Sequence, residues 1–285
     1  MLYRFGLYAI WIGAIIRLVV VLRSYWASLW CTLVLGTVGL LDTWPARLEV
    51  PLITVALLPM ADPSRWRYAH LAGLALLAGV ATMVKTNLGV EAIGLFVCTL
   101  SILALDDRPL LRPKRRILIL TSLLLPVTSV TLYAISSGEI GSIVRYYRYA
   151  LEVASGYSEA MSFAGPSWQF ALTLATALVL LLGLTFAERP RDMLPGLAPM
   201  AVASFFIFKV AMMRHDAHAI SFQVKMALAG LFLFVCAKAA RDRRAVALLQ
   251  ACSLFVGAYI TAETLPVLGG HFMDRLALRH AESVA

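Results

Sequence analysis

The chain has 285 residues, 61% hydrophobic and 14% charged, with a mean hydropathy of +0.82 and a net charge of +9. A soluble domain carries about 25% charged residues, so this composition excludes an ordinary water-soluble globule. Excess lysine and arginine in short loops orients a membrane protein, and on that reading the charge implies no nucleic-acid partner.

Apolar runs cover roughly 5–22, 26–41, 48–60, 69–84, 88–105, 117–135, 168–187, 197–212, 219–237 and 245–265. A membrane-spanning helix needs about 17 to 25 mostly apolar residues. In lipid the backbone must satisfy its own hydrogen bonds, and the runs lack the alternation of a barrel. The expected fold is all-α: one polytopic integral membrane domain over 1–285, with nine or ten transmembrane helices. The third run is short for a span. The first run carries Trp11 and Arg17 and lacks a small-residue cleavage site, so it reads as a retained span. Cys31, Cys98, Cys236 and Cys252 all sit in apolar runs without a CxxC pair and read as packing residues, with neither a disulfide nor a zinc framework.

The loops divide by charge. Loops 61–67, 106–116, 188–192 and 238–244 carry thirteen lysines and arginines, against five in 42–47, 84–88, 136–167 and 213–218. The first set is therefore assigned to the cytoplasm and the second to the outer face. An even number of spans with the C-terminus outside also places the N-terminus outside.

Three outer segments stand out. Val84-Lys85-Thr-Asn-Leu-Gly89 is a tight hairpin with Lys85 at its tip, and Glu91 lies one turn into the following span. In 139–154 the apolar positions Ile140, Ile143, Val144, Tyr147 and Leu151 recur at helical spacing, with Arg148 and Glu152 an i,i+4 pair. This predicts an amphipathic interfacial helix with Arg145 and Arg148 toward water and headgroups. Residues 155–162 then read as a loop marked by Gly156 and Gly165-Pro166, with Tyr157 to Met161 free to move as a lid over the site. The third segment, Lys209-Val-Ala-Met-Met-Arg214-His215-Asp216-Ala-His218, concentrates ionisable groups between two apolar runs, where charge is costly. Lys225 follows His218 by seven residues, on the same helical face and about 10 Å deeper; Glu91 and Glu263 are its candidate counter-charges.

Two histidines at i,i+3 beside an aspartate are a possible zinc or iron ligand set. That spacing is no recognised signature, and Arg214 disfavours a cation, so no metal or other cofactor is assigned. Lysine and arginine near the headgroup plane suit a phosphate on a lipid, and a nearby carboxylate can act as general base toward a hydroxyl acceptor. The expected site comprises Asp216 as base, or as the group orienting Arg214 or His218. Arg214, His218, Lys225, Lys85, Arg145 and Lys209 form the substrate-binding set.

The Phe206–His218 run, Gly156-Tyr-Ser-Glu-Ala-Met161 and Val84–Gly89 together resemble segments of bacterial polytopic glycosyltransferases of the GT-C type. The resemblance implies a bacterial inner-membrane enzyme whose partners are membrane lipid and a polyprenyl-phosphate-linked sugar donor, with its site on the outer face. Enzymes of this type carry a catalytic acidic residue in a sizeable first outer loop. Here the only early outer acidic residue is Asp42, in a short loop. Two expectations follow: a span and an outer loop precede Met1, or the activity is altered or absent. The rival readings are a transporter or flippase whose path is lined by buried Lys209, Lys225, Glu91 and Glu263, and a non-catalytic membrane subunit. The lack of internal pseudo-symmetry favours the transferase over the transporter.

Single cysteines at Ser142 and Ala217 should both react with a membrane-impermeant thiol reagent added from the extracytoplasmic side. Labelling from the cytoplasmic side alone would reverse the orientation.

Overall fold

The structure, a computed structural model, describes residues 2–41, 48–62, 64, 66–105, 114–160, 167–188, 190–213, 217–239, 241–247, 249 and 250. Its elements are α1 (Leu2–Leu22), α2 (Tyr25–Leu41), α3 (Glu49–Ala61), α4 (Arg67–Val84), α5 (Thr86–Leu105), α6 (Lys114–Ser137), α7 (Ile143–Ala160), α8 (Ser167–Thr185), α9 (Pro190–Met213) and α10 (Ala217–Ala239). No strand occurs among the described residues, so the fold is an all-α bundle. The first nine expected spans each coincide with a helix, and α7 is the tenth; the expected span 245–265 lies mostly outside the described residues.

Among the described residues, four helical stretches are long and apolar enough to cross a membrane: Arg67–Val84, Thr86–Leu105, Arg115–Ser137 and Pro190–Val210. The outward surface of α6 is apolar, with Ile119, Leu120, Leu123 and Val127 all exposed. Such a continuous exposed apolar face is what lipid, not water, accommodates.

The 13-residue helix α3 is buried along its whole length from Glu49 to Pro59. At 1.5 Å per residue it is about 20 Å long, short of a roughly 30 Å hydrocarbon core. A helix apolar on every side belongs in an interior, and α3 occupies one: it touches α1, α2, α4, α5, α9 and α10. The shortness visible in the sequence thus reflects enclosure by other helices.

Between apolar helices in lipid, close backbone approach supplies the packing energy, and small residues permit it. Glycines mark the main crossings here. A Cβ on Gly196 of α9 would lie 2.6 Å from the Phe232 carbonyl oxygen and 2.9 Å from the Cys236 sulfur of α10. On Gly79 of α4 it would meet Thr128 of α6 at 2.7 Å, and on Gly94 of α5 it would meet Val202 of α9 at 2.8 Å.

Gly196→Val should destabilise the protein by about 1 to 3 kcal/mol through overpacking of the α9–α10 crossing. Thermal unfolding in detergent measures it. Gly13→Ala, where nothing lies within 4 Å of the added carbon, is the matched change with little effect expected.

Candidate functional site

Of the helix ends that face the outside in the sequence reading, the α4–α5 turn and the end of α6 lie beside α7. Helix α4 ends at Val84, Lys85 is extended, and α5 starts at Thr86, so a single residue makes the turn. The Lys85 N–H donates to the Ala81 carbonyl at 3.1 Å and the Gly89 N–H to the Lys85 carbonyl at 2.8 Å. Gly89 makes so tight a hairpin possible, because a Cβ there would lie 2.7 Å from the Cα of Thr82. The Lys85 side chain is exposed.

Helix α6 stops at Ser137 because Gly138 takes a left-handed conformation (φ 73°), donating its N–H back to Ala134 at 2.9 Å. The chain then turns into α7, whose docking is aromatic and polar. The Tyr133 and Ser142 hydroxyls are 2.7 Å apart, and the rings of Tyr133, Tyr146 and Tyr147 follow one another at 5.2 Å spacings. The Tyr147 hydroxyl donates to Thr82 Oγ1 at 3.2 Å; Thr82 donates to the Gly79 carbonyl at 2.7 Å and lies 2.9 Å from Ser129 Oγ. With its proton on Gly79, Thr82 accepts from both Tyr147 and Ser129. One threonine oxygen therefore ties α4, α6 and α7 together. The Tyr146 phenol is pushed up from its ordinary pKa by burial, then by Tyr147 and Tyr133, and stays neutral.

Two readings of α7 are corrected. It begins at Ile143, leaving Glu139 and Ile140 outside it, and continues through Gly156 to Ala160, where a loop was expected. A lone glycine costs a helix only about 1 kcal/mol, and the Ser155 hydroxyl returns to the Glu152 carbonyl at 2.8 Å. The helix thus covers the first part of the expected loop, whose remainder, 161–166, lies outside the described residues. Arg148 and Glu152 pair at 3.1 Å and both are exposed. Arg145 is exposed as well. It precedes Tyr147 by two residues, about 200° around the helix, so it projects away from the face that docks on Thr82.

Lys209, a substrate-binding candidate that the transporter reading places inside the bundle, is exposed on α9, one turn before Met213. A flexible four-carbon stem lets lysine near a helix end reach the interface. Glu91 is buried at 4% exposure near the start of α5. Arg214, His215 and Asp216 lie outside the described residues; His218 and Lys225 fall in α10, with side chains outside the description.

At the opposite, basic face the structure assembles a cluster that the sequence reasoning missed. Asp62, 3% exposed at the end of α3, accepts from Arg17 of α1 at 2.7 Å and from the Ser64 N–H at 2.9 Å. His70 Nε2 of α4 lies 3.2 Å from the same Asp62 oxygen and 3.5 Å from Arg17 Nε. One ring nitrogen cannot both donate and accept, and the shorter contact is the one to the carboxylate. Burial pushes the Asp62 carboxyl up, but the bonds from Ser64, Arg17 and His70 outweigh it and hold the carboxyl below its ordinary pKa. The signal was available: Arg17 is a charge inside an apolar run, like Lys225, and calls for a partner on the same physical ground. Among the described residues, no group of three or more His, Cys, Asp or Glu side chains is placed to hold a metal ion.

No protein-family model, curated protein or solved structure matches the chain.

A carboxyl whose folded pKa is depressed stabilises the protein above its unfolded pKa and loses that contribution as pH falls through the folded value. Asp62→Asn should therefore cost about 2 kcal/mol at pH 7. The gap from the parent should narrow below about pH 4. Thermal unfolding in detergent from neutral to acid pH measures this, and a gap that stayed constant would show that the carboxyl is not held low.

Proposed function

We propose that this is a membrane glycosyltransferase of the bacterial inner membrane, taking its sugar from a polyprenyl-phosphate-linked donor at the extracytoplasmic face. The observation that carries this reading is the seating of α7. An amphipathic helix with exposed Arg145 and Arg148 is held by Tyr147 onto Thr82, three residues from exposed Lys85. Such a helix at the end of an apolar bundle suits a substrate that is part lipid and part phosphate, because it lies at the boundary where the two meet.

In this reading Arg214 and Lys225 hold the donor phosphate, with Lys85 and Arg145 in support and Lys209 as a further cation. His218 belongs to the same binding set. Asp216 takes the proton from an acceptor hydroxyl as the oxygen bonds to the anomeric carbon. The bond from that carbon to the phosphate oxygen breaks, and polyprenyl phosphate leaves as the anion, stabilised by the cations. The transporter reading counted Lys209 among buried path residues, and the exposure of that side chain speaks against it.

Titration of the detergent-solubilised protein with a polyprenyl phosphate tests the binding half. Lys85→Ala should weaken binding about tenfold, equivalent to one charged hydrogen bond of about 1.4 kcal/mol. Binding unchanged by Lys85→Ala would remove the α4–α5 turn from the site. Asp216→Asn should leave binding intact and abolish sugar transfer; full transfer activity in that variant would displace Asp216 as base.

A further inference from the structure

The basic face holds a cavity of about 550 Å³ that the outer-face function does not use. It opens between the α1–α2 turn, the end of α3, the end of α10 and the helical segment at 243–247. Arg23, Lys238, Arg241 and Arg243 line it, joined by the polar side chains of Ser24 and Gln250. The single carboxylate in the lining, Asp242, is 1% exposed and accepts the Ala245 N–H at 2.9 Å, so it is engaged in capping the next helical turn. The cavity therefore presents four cations against one buried carboxylate.

The backbone adds an independent observation. Among the described residues, two that are not glycine have a left-handed φ: Arg23 at 47° and Arg241 at 58°. Both line this cavity. Arg241 stands at the end of α10, where the Asp242 N–H reaches back to the Ala237 carbonyl at 2.9 Å. That six-to-one bond closes a helix terminus whose left-handed residue is ordinarily glycine, since a Cβ is strained there. Arginine at both left-handed positions means that two turns accept backbone strain and gain a guanidinium at one cavity wall. Strain of this kind gathers where side-chain placement serves a site. The need for cytoplasmic positive charge explains how many arginines this face carries, but not why two of them occupy left-handed turns around one hollow.

We infer that this cavity is a binding site for a phosphate group, gripped by the Arg23, Arg241 and Arg243 guanidiniums with Lys238 as a further cation. Guanidinium forks match phosphate oxygens two at a time, and basic hollows between membrane helices suit phospholipid headgroups. The same chemistry accepts a phosphodiester on an anionic lipid or a free phosphate ion. The inference does not depend on the glycosyltransferase reading.

The substitutions Arg23→Gly and Arg241→Gly make the test selective, because each removes a cation while placing at a left-handed position the residue best suited to it. The full-length protein is placed in phosphatidylcholine nanodiscs, and its unfolding midpoint is followed in two titrations. One adds phosphatidylglycerol to the lipid, and the other adds inorganic phosphate at constant ionic strength. A ligand bound to the folded state raises the midpoint. A rise with phosphatidylglycerol alone identifies a lipid headgroup as the occupant, and a rise with inorganic phosphate identifies the free ion. Each glycine variant should match or exceed the parent's midpoint without ligand and bind the effective probe about tenfold more weakly. Arg243→Ala should weaken it similarly. The double variant Arg115→Ala/Arg116→Ala removes two exposed charges at the start of α6, outside the cavity lining, and should bind as the parent does. The proposal is overturned if neither probe raises the midpoint, if Arg241→Gly binds like the parent, or if the Arg115/Arg116 variant loses as much affinity as the cavity variants.

Discussion

Asp62 is a buried carboxylate at the end of a helix that is itself enclosed, and it accepts hydrogen bonds from Arg17 and from its neighbour Ser64, with His70 at 3.2 Å. A charge so placed is tolerable only with its partners in position, and those on α1 and α4 flank α3. The contact therefore does more than neutralise charge. It sets the depth at which the short helix sits between two of its neighbours, and α3 in turn supplies an inner wall to six helices.

Around that centre the bundle is held by shape. Gly79, Gly94 and Gly196 bring helices close enough that a methyl group would collide with the facing chain. In a solvent as apolar as the side chains, such interlocking replaces the hydrophobic drive that organises a soluble core. Polar contacts enter where helices end. The Thr82 oxygen, shared among Tyr147, Ser129 and Gly79, is the clearest case, turning an amphipathic segment into a fixed part of the bundle.

The two faces carry charge differently. On the α7 face, Lys85, Arg145 and Arg148 are exposed and spread along a turn and a helix. At the basic face, cations converge on a hollow and two hold strained backbones to do so. The proposed polyprenyl-phosphate chemistry and the proposed phosphate site place anion recognition at both ends of the bundle. The α7 end presents an open boundary for a lipid-borne substrate, and the basic end a half-open hollow suited to a bound phosphate.

Much was legible in the chain itself. The positions of nine of the described helices followed from run length and hydropathy, because in lipid an apolar run has hardly any choice but helix. The exposed Arg148–Glu152 pair and the amphipathic character of α7 were local matters of spacing, and they stand as read. Periodicity could not fix where α7 starts and stops, since a weak breaker such as Gly156 yields to its helical neighbours. Nor could hydropathy tell an enclosed helix from a lipid-facing one: α3 and α6 are both apolar, yet one is buried and the other largely exposed. Lys209 and Arg17 looked alike as charges within apolar runs, and only packing separated them, sending the first outward and the second to Asp62. The convergence of Arg23 with Arg241, more than two hundred residues apart in the chain, was likewise beyond any local signal. Helix identity is decided by each segment's own exchange with its solvent. Partners and cavities are decided by which segments meet, and that depends on the whole bundle closing.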